Sequence, residues 1–161
     1  MKLKLVFSGL VLFSLFLFAC SSTRVNPEYS HLDEINFIDM NDELRQGFGC
    51  IDFGDEQKLE FIITSNEEYS KFSENLVDHD FCLNYNFPEI DFSNYILIGK
   101  YADSGGCSID FSRNLYVDTS ARELIYVINV KAEGMCDMLG SSMNWALVPK
   151  HDGFNIVFDV K

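Results

Sequence analysis

Along the chain the first strong pattern is an oily run from Leu5 to Phe18, broken only by Ser8, Gly9 and Ser14 and preceded by Met1-Lys2-Leu3-Lys4. Cations followed by an apolar stretch short of the ~20 residues that cross a bilayer predict a cleaved export leader, not a transmembrane helix. Residues 21 to 46 mix polar, acidic and scattered apolar positions without a sustained period, which predicts a tether that docks through Ile35, Phe37 and Ile38. From Gly47 the texture changes. Leu59, Phe61 and Ile63 alternate as in a strand, and Tyr69, Phe72 and Leu76 then recur at helical spacing. Ser65 followed three residues later by Glu68 marks that helix's start as a capping box.

Pro88 and Asp91 punctuate the chain before a strand from about Tyr95 to Ala102, and "DSGG" at 103–106 reads as a turn. Two runs of β-branched and aromatic residues then flank a polar turn at 118–122. In the second run Leu124, Tyr126, Ile128, Val130 and Ala132 share one face, a hairpin pattern. "SMNWALVPK" and "GFNIVFDVK" flank "HDG" as a second hairpin, with Phe154, Ile156, Phe158 and Val160 turned inward. The expected fold is α+β: an antiparallel meander of about six strands with one helix packed on it. The expected organisation is a leader at 1–19, a tether at 20–46 and a single domain at 47–161.

At the leader's end, Leu17-Phe18-Ala19-Cys20 resembles the lipobox of bacterial lipoproteins, with Phe18 where that family usually has a small residue. The resemblance implies cleavage before Cys20, a thioether from its sulfur to diacylglycerol, and an acylated amino terminus. Two or three acyl chains hold a domain stably at a membrane, at about 0.8 kcal/mol per buried methylene. Ser21-Ser22 lacks the aspartate that retains such proteins at the inner membrane. The implied address is therefore the outer membrane, with the domain facing the periplasm.

Setting Cys20 aside leaves Cys50, Cys82, Cys107 and Cys136, an even number in a chain addressed to an oxidising compartment, and so two disulfides. Four cysteines allow three connectivities. With the first hairpin's turn near Ser120, Cys107 lies opposite Ala132 to Glu133, within reach of Cys136 in the following loop. The expected pairs are thus Cys107 with Cys136 and Cys50 with Cys82. No CxxC or CxxH spacing argues for a zinc site, and His31, His79 and His151 all sit in polar or turn-like contexts.

The first 19 residues hold two lysines and no acid, so the remaining 142 carry 10 basic and 25 acidic side chains, a formal charge of −15. That length is enough for one domain with a real core. A surface this acidic repels phosphate backbones and excludes nucleic-acid partners. No G-x-S-x-G elbow or HExxH is present, and "DSGG" lacks both the preceding glycine and an early histidine base that a serine protease needs. "DMNDE" at 39–43 and "DHD" at 78–80 gather carboxylates without the twelve-residue calcium-loop pattern, and read as solvated acidic surface. Trp145, between Met143 and Leu147 at period two, reads as core, and Tyr85 and Phe87 as the exposed contact candidates.

Taken together, "ITSNEEYSKF", "PEIDFSNYILIGKY", "SGGCSIDF" and the closing "NWALVPK" resemble the C-terminal domain of the protease complex subunit PrcB and related bacterial lipoprotein domains. The likeness spans about residues 58 to 160, with Cys107 where that family usually has tyrosine. It implies a non-catalytic module without cofactor that stabilises an envelope protein complex. The alternative is an enzyme or protease inhibitor whose site is assembled from residues distant in sequence.

Overall fold

A computed structural model describes residues 27–48, 60–74, 82 and 85–161. A 3-10 turn, Pro27–Tyr29, leads into β1 (Asp33–Glu34), β2 (Ile38–Asp39) and helix α1 (Asn41–Phe48). β3 (Glu60–Ile63) and helix α2 (Asn66–Glu74) follow. Then come the long strands β4 (Tyr95–Gly105), β5 (Ser108–Asp118), β6 (Glu123–Glu133) and β7 (Leu139–Pro149), and last β8 (Asn155–Val160).

The four long strands are one antiparallel ribbon folded over on itself. β5 and β6 form the hairpin around 119–122, with Asp118 opposite Glu123 and Ser108 opposite Glu133. Outside that hairpin β4 pairs with β7 from Tyr95–Pro149 to Gly105–Leu139. Between the two halves lie only Gly106-Cys107 on one side and residues 134–138 on the other. At this crease the ribbon doubles back, so that its halves become two facing sheets. One sheet runs β1-β5-β6-β8 and the other β2-β7-β4-β3.

Alternation along each strand then feeds different layers. Ile96, Ile98, Leu115, Leu124, Tyr126, Ile128, Ala146 and Val148 fill the space between the sheets. On the far side of the β2-β7-β4-β3 sheet, Leu97, Trp145 and Leu147 pack with Met40, Leu44, Phe61, Ile63 and Phe72 beneath the helices. On the far side of the other sheet, Tyr116, Ile125 and Val127 are covered by Tyr29 and Leu32 from the N-terminal segment. β4, β6 and β7 are therefore buried on both faces, which explains why "YILIG", "LIYVI" and "WALV" are unbroken apolar runs.

Three expectations change. Among the described residues, the expected meander with one helix is instead a two-sheet sandwich with α1 and α2, and eight strands stand in place of six. Residues 27–46, expected as tether, add a strand to each sheet as well as α1, with Ile35 and Phe37 docked into the inter-sheet core. β8 does not form a hairpin with β7: it crosses to the other sheet and pairs parallel to β6, Leu124 opposite Ile156. The reason is that β7 has β4 on one edge and, on the other, β2 at Ala146 and Leu147, within the stretch that a hairpin with β8 would need.

Local signals act as read at other points. Ser65 caps α2 by accepting the Glu68 N–H (3.2 Å), while the Glu68 carboxylate accepts from the Thr64 N–H (2.7 Å), one residue earlier than in the usual capping box. At the 118–122 turn, the Asp118 carboxylate accepts from the Ser120 and Ala121 amides, both at 2.9 Å. Arg122 takes a positive φ of 57° there.

Candidate functional site

β1 and β2 are only two residues long, and this shapes the one side of the sandwich where they lie. β1 covers β5 at Tyr116 and Val117, and β2 covers β7 at Ala146 and Leu147. Among the described residues, the crease-ward halves of β5 and β7 thus carry no neighbouring strand on that side. Between these two bare edges is a cleft of about 430 Å³ lined by Ile109 and Phe111 of β5, Gly140 to Met143 of β7, and Asn41 and Asp42 at the start of α1.

The register tells which groups face it. Ile109, Phe111 and Arg113 alternate along β5 toward the opposite sheet, as do Gly140, Ser142 and Asn144 along β7. At the outer end Gly140 lets the sheets approach: a Cβ there would lie 2.6 Å from Ile109 Cδ1. At the inner end Arg113 reaches across between the sheets. Its Nη2 donates to Asp39 Oδ2 (2.8 Å) and its Nη1 to Asn144 Oδ1 (3.4 Å). Asn144 is fully buried and uses its amide nitrogen on the Lys100 and Ser142 carbonyls, at 3.2 and 3.1 Å. A half-buried guanidinium and a fully buried carboxamide thus bond to each other, and the carboxamide has both its oxygen and its nitrogen paired, as burial demands.

Asn41 ends the β2–β7 ladder. Its Oδ1 accepts the Trp145 N–H (2.7 Å) and its Nδ2 donates to Asp39 Oδ1 (2.6 Å), so a side chain stands where the next strand residue would have been. Asp39 also accepts the Asn41 N–H (2.9 Å) at the start of α1. Beyond Trp145 the outward backbone groups of β7 belong to Met143 and Ser141, because residues two apart point the same way. Among the described residues that edge is unpaired, and the cleft beside it sets Ile109, Phe111 and Met143 against Asn41, Asp42 and two serines.

Sequence reading missed these residues. Asp39 and Asn41 lay in a segment read as solvated acid, and Arg113 and Asn144 stand 31 positions apart with no motif joining them. The only local signal was an arginine on the inward face of an otherwise apolar alternation. Trp145 is buried, as expected, in the core under the helices, where its ring lies so close over β4 that a Cβ on Gly99 would fall 2.4 Å from it. Tyr85 and Phe87, read as exposed contacts, are half-buried: the Tyr85 hydroxyl donates to the Glu43 carbonyl, and Phe87 packs edge-on against Tyr69 and Phe72.

The cysteines partly enter the described region. Cys107 and Cys136 are joined by a disulfide with Cα atoms 4.8 Å apart, one from each of the two connections at the crease. Gly134 is needed beside it, having φ of 79° and room for no Cβ, which would lie 2.5 Å from Cys107 Sγ. Cys82 is buried and disulfide-bonded. Its expected partner Cys50, the expected lipid attachment point Cys20, and His79 lie outside the described residues. Among the described residues no three His, Cys, Asp or Glu side chains converge as a metal site.

Among the described residues, the cleft's polar side chains are Ser141, Ser142, Asn41 and Asp42. No family model matches the chain, and no curated protein or solved structure matches it.

Proposed function

We propose that this protein is a lipid-anchored module of the bacterial outer membrane, facing the periplasm, that binds and stabilises an envelope protein complex without catalysing a reaction. The lipobox-like Leu17-Phe18-Ala19-Cys20 supports the anchor, and the PrcB-like stretches support the role. The observation that carries the binding function is the pair of edges on β5 and β7, bare among the described residues, that flank a cleft with both apolar and polar walls. Edge strands are ordinarily blocked by charge, proline or a bulge, and one left open takes up an extended segment of another chain. The partner's segment adds to β7 at Ser141 and Met143 and lowers alternate side chains toward Ile109 and Phe111.

The test is site-specific photo-crosslinking in the envelope from Ser141, with Thr119 at the opposite end of the sandwich as control. A recurrent protein adduct from position 141 alone is the expected result, and its absence overturns the reading. Ser141→Pro removes one outward N–H and should weaken capture roughly tenfold, about the worth of one such hydrogen bond, while leaving the fold intact.

A further inference from the structure

The crease carries three large apolar side chains in water: Met135 is 105 % exposed, Leu139 74 % and Met138 63 %. Cys136 is tied down to Cys107 in their midst, so the segment is covalently held with its methionines outward. Contiguous exposed apolar groups of this kind mark a surface that something covers. We propose that the covering surface is the lipid bilayer itself, and that the crease is a second membrane contact which sets the orientation of the anchored domain. This rests on the anchor at Cys20 proposed above.

The chain's path supports the choice of occupant. Lys161 follows β8, and its carbonyl accepts the Val130 N–H (2.6 Å). The Lys161 ammonium pairs with Glu28 and with Asp159 (3.0 Å) and lies 4.4 Å above the Tyr29 ring. Tyr29 in turn donates to Asp159 and stacks on Tyr116 at 5.1 Å. These contacts hold Glu28 near the middle of the sheet, since Asp159 lies opposite Val127 and Tyr116 opposite Ile125. From Val127 to Met135 the strand rise gives ~27 Å. The eight residues from Cys20 to Glu28 span at most ~28 Å, so an anchored Cys20 brings an end of the sandwich to the membrane.

Both ends lie within that reach, and their chemistry decides between them. The far end presents Asp118, Thr119, Ser120, Arg122, His151 and Asp152, which gain nothing from lipid. The crease presents two methionines and a leucine, which do. Asp137 lies between the methionines and stays at headgroup level, so the contact is interfacial and shallow. The strongly acidic domain is repelled by anionic lipid, which leaves zwitterionic headgroups as the matching surface.

The test uses the full lipidated protein in phosphatidylcholine vesicles with brominated acyl chains. Trp145 is buried and serves as a constant background, so Met135→Trp adds one reporter at the tip and Thr119→Trp one at the far end. Met135→Trp should shift to the blue and lose roughly half or more of its added emission to bromine, as for a side chain set into the acyl boundary. Thr119→Trp should lose none. A Met135→Trp reporter that stays unquenched on protein shown by mass to be lipidated and by sedimentation to be vesicle-bound overturns the tip contact alone. Protein that carries no lipid overturns the anchor, and this proposal with it.

Discussion

Tyr126 is a fully buried side chain in the inter-sheet core, edge-on to Phe37 and Phe158. Among the described residues its hydroxyl has no hydrogen-bond partner, and burial pushes its pKa upward. A buried polar group in that state costs about 1–3 kcal/mol. Tyr126→Phe keeps the ring contacts and removes only the oxygen. Denaturant unfolding should therefore show the variant at least as stable as the parent, and more stable by about 1 kcal/mol; a clear loss would mean that the hydroxyl has a role in the sheet interface. Alternation along "LIYVI" placed Tyr126 inward from sequence alone. Whether its oxygen would find a partner was not legible, because the nearest polar groups, Arg113 and Asp39, come from other elements and are already engaged with each other.

Helix α2 is the element whose beginning was clearest beforehand, since capping is a contest among side chains a few residues apart. The Glu68 carboxyl is held below its ordinary 4.5, first by the backbone N–H of Thr64 and then by the Thr64 hydroxyl. A carboxylate with a lowered folded pKa stabilises the fold fully above its unfolded value and loses that contribution as pH falls through the folded one. Acid titration followed by thermal unfolding should therefore lower the stability of the wild type more steeply through the carboxylate range than that of Glu68→Gln, which keeps an oxygen acceptor but no titration. Equal slopes would remove the capping role. The strands were legible as strands for the same local reason. Their partners were not: Phe154, Ile156 and Phe158 do join the inter-sheet core, but β8 lies beside β6 and not β7, whose stretch at Ala146 and Leu147 is held by β4 and β2.

At the scale of the molecule, the crease determines that one ribbon becomes two sheets. Its disulfide closes a separation of 29 residues. Replacing both Cys107 and Cys136 by serine should lower stability by about 2–4 kcal/mol, chiefly by freeing the unfolded chain, while the β5–β6 hairpin register survives. Amide exchange would show it: protection should fall first at Gly106 and position 107, whose amides bond the Met138 and Glu133 carbonyls across the crease. Unchanged stability would mean that the inter-sheet core alone keeps the ribbon folded over.

The amino-acid sequence by itself determined what depends on near neighbours: the cap at Ser65, the Asp118 turn, the hairpin around it and, through that hairpin's register, the nearness of Cys107 to Cys136. Only the tertiary structure decided which faces were covered and by what. An unbroken run such as "WALV" says that both faces of a strand are buried but not that helices lie on one side and a second sheet on the other. The cleft belongs to that second kind of fact. It exists because β1 and β2 stop after two residues each, leaving Ile109, Phe111, Ser141 and Met143 on bare edges, and no residue among the four carries that in its own identity.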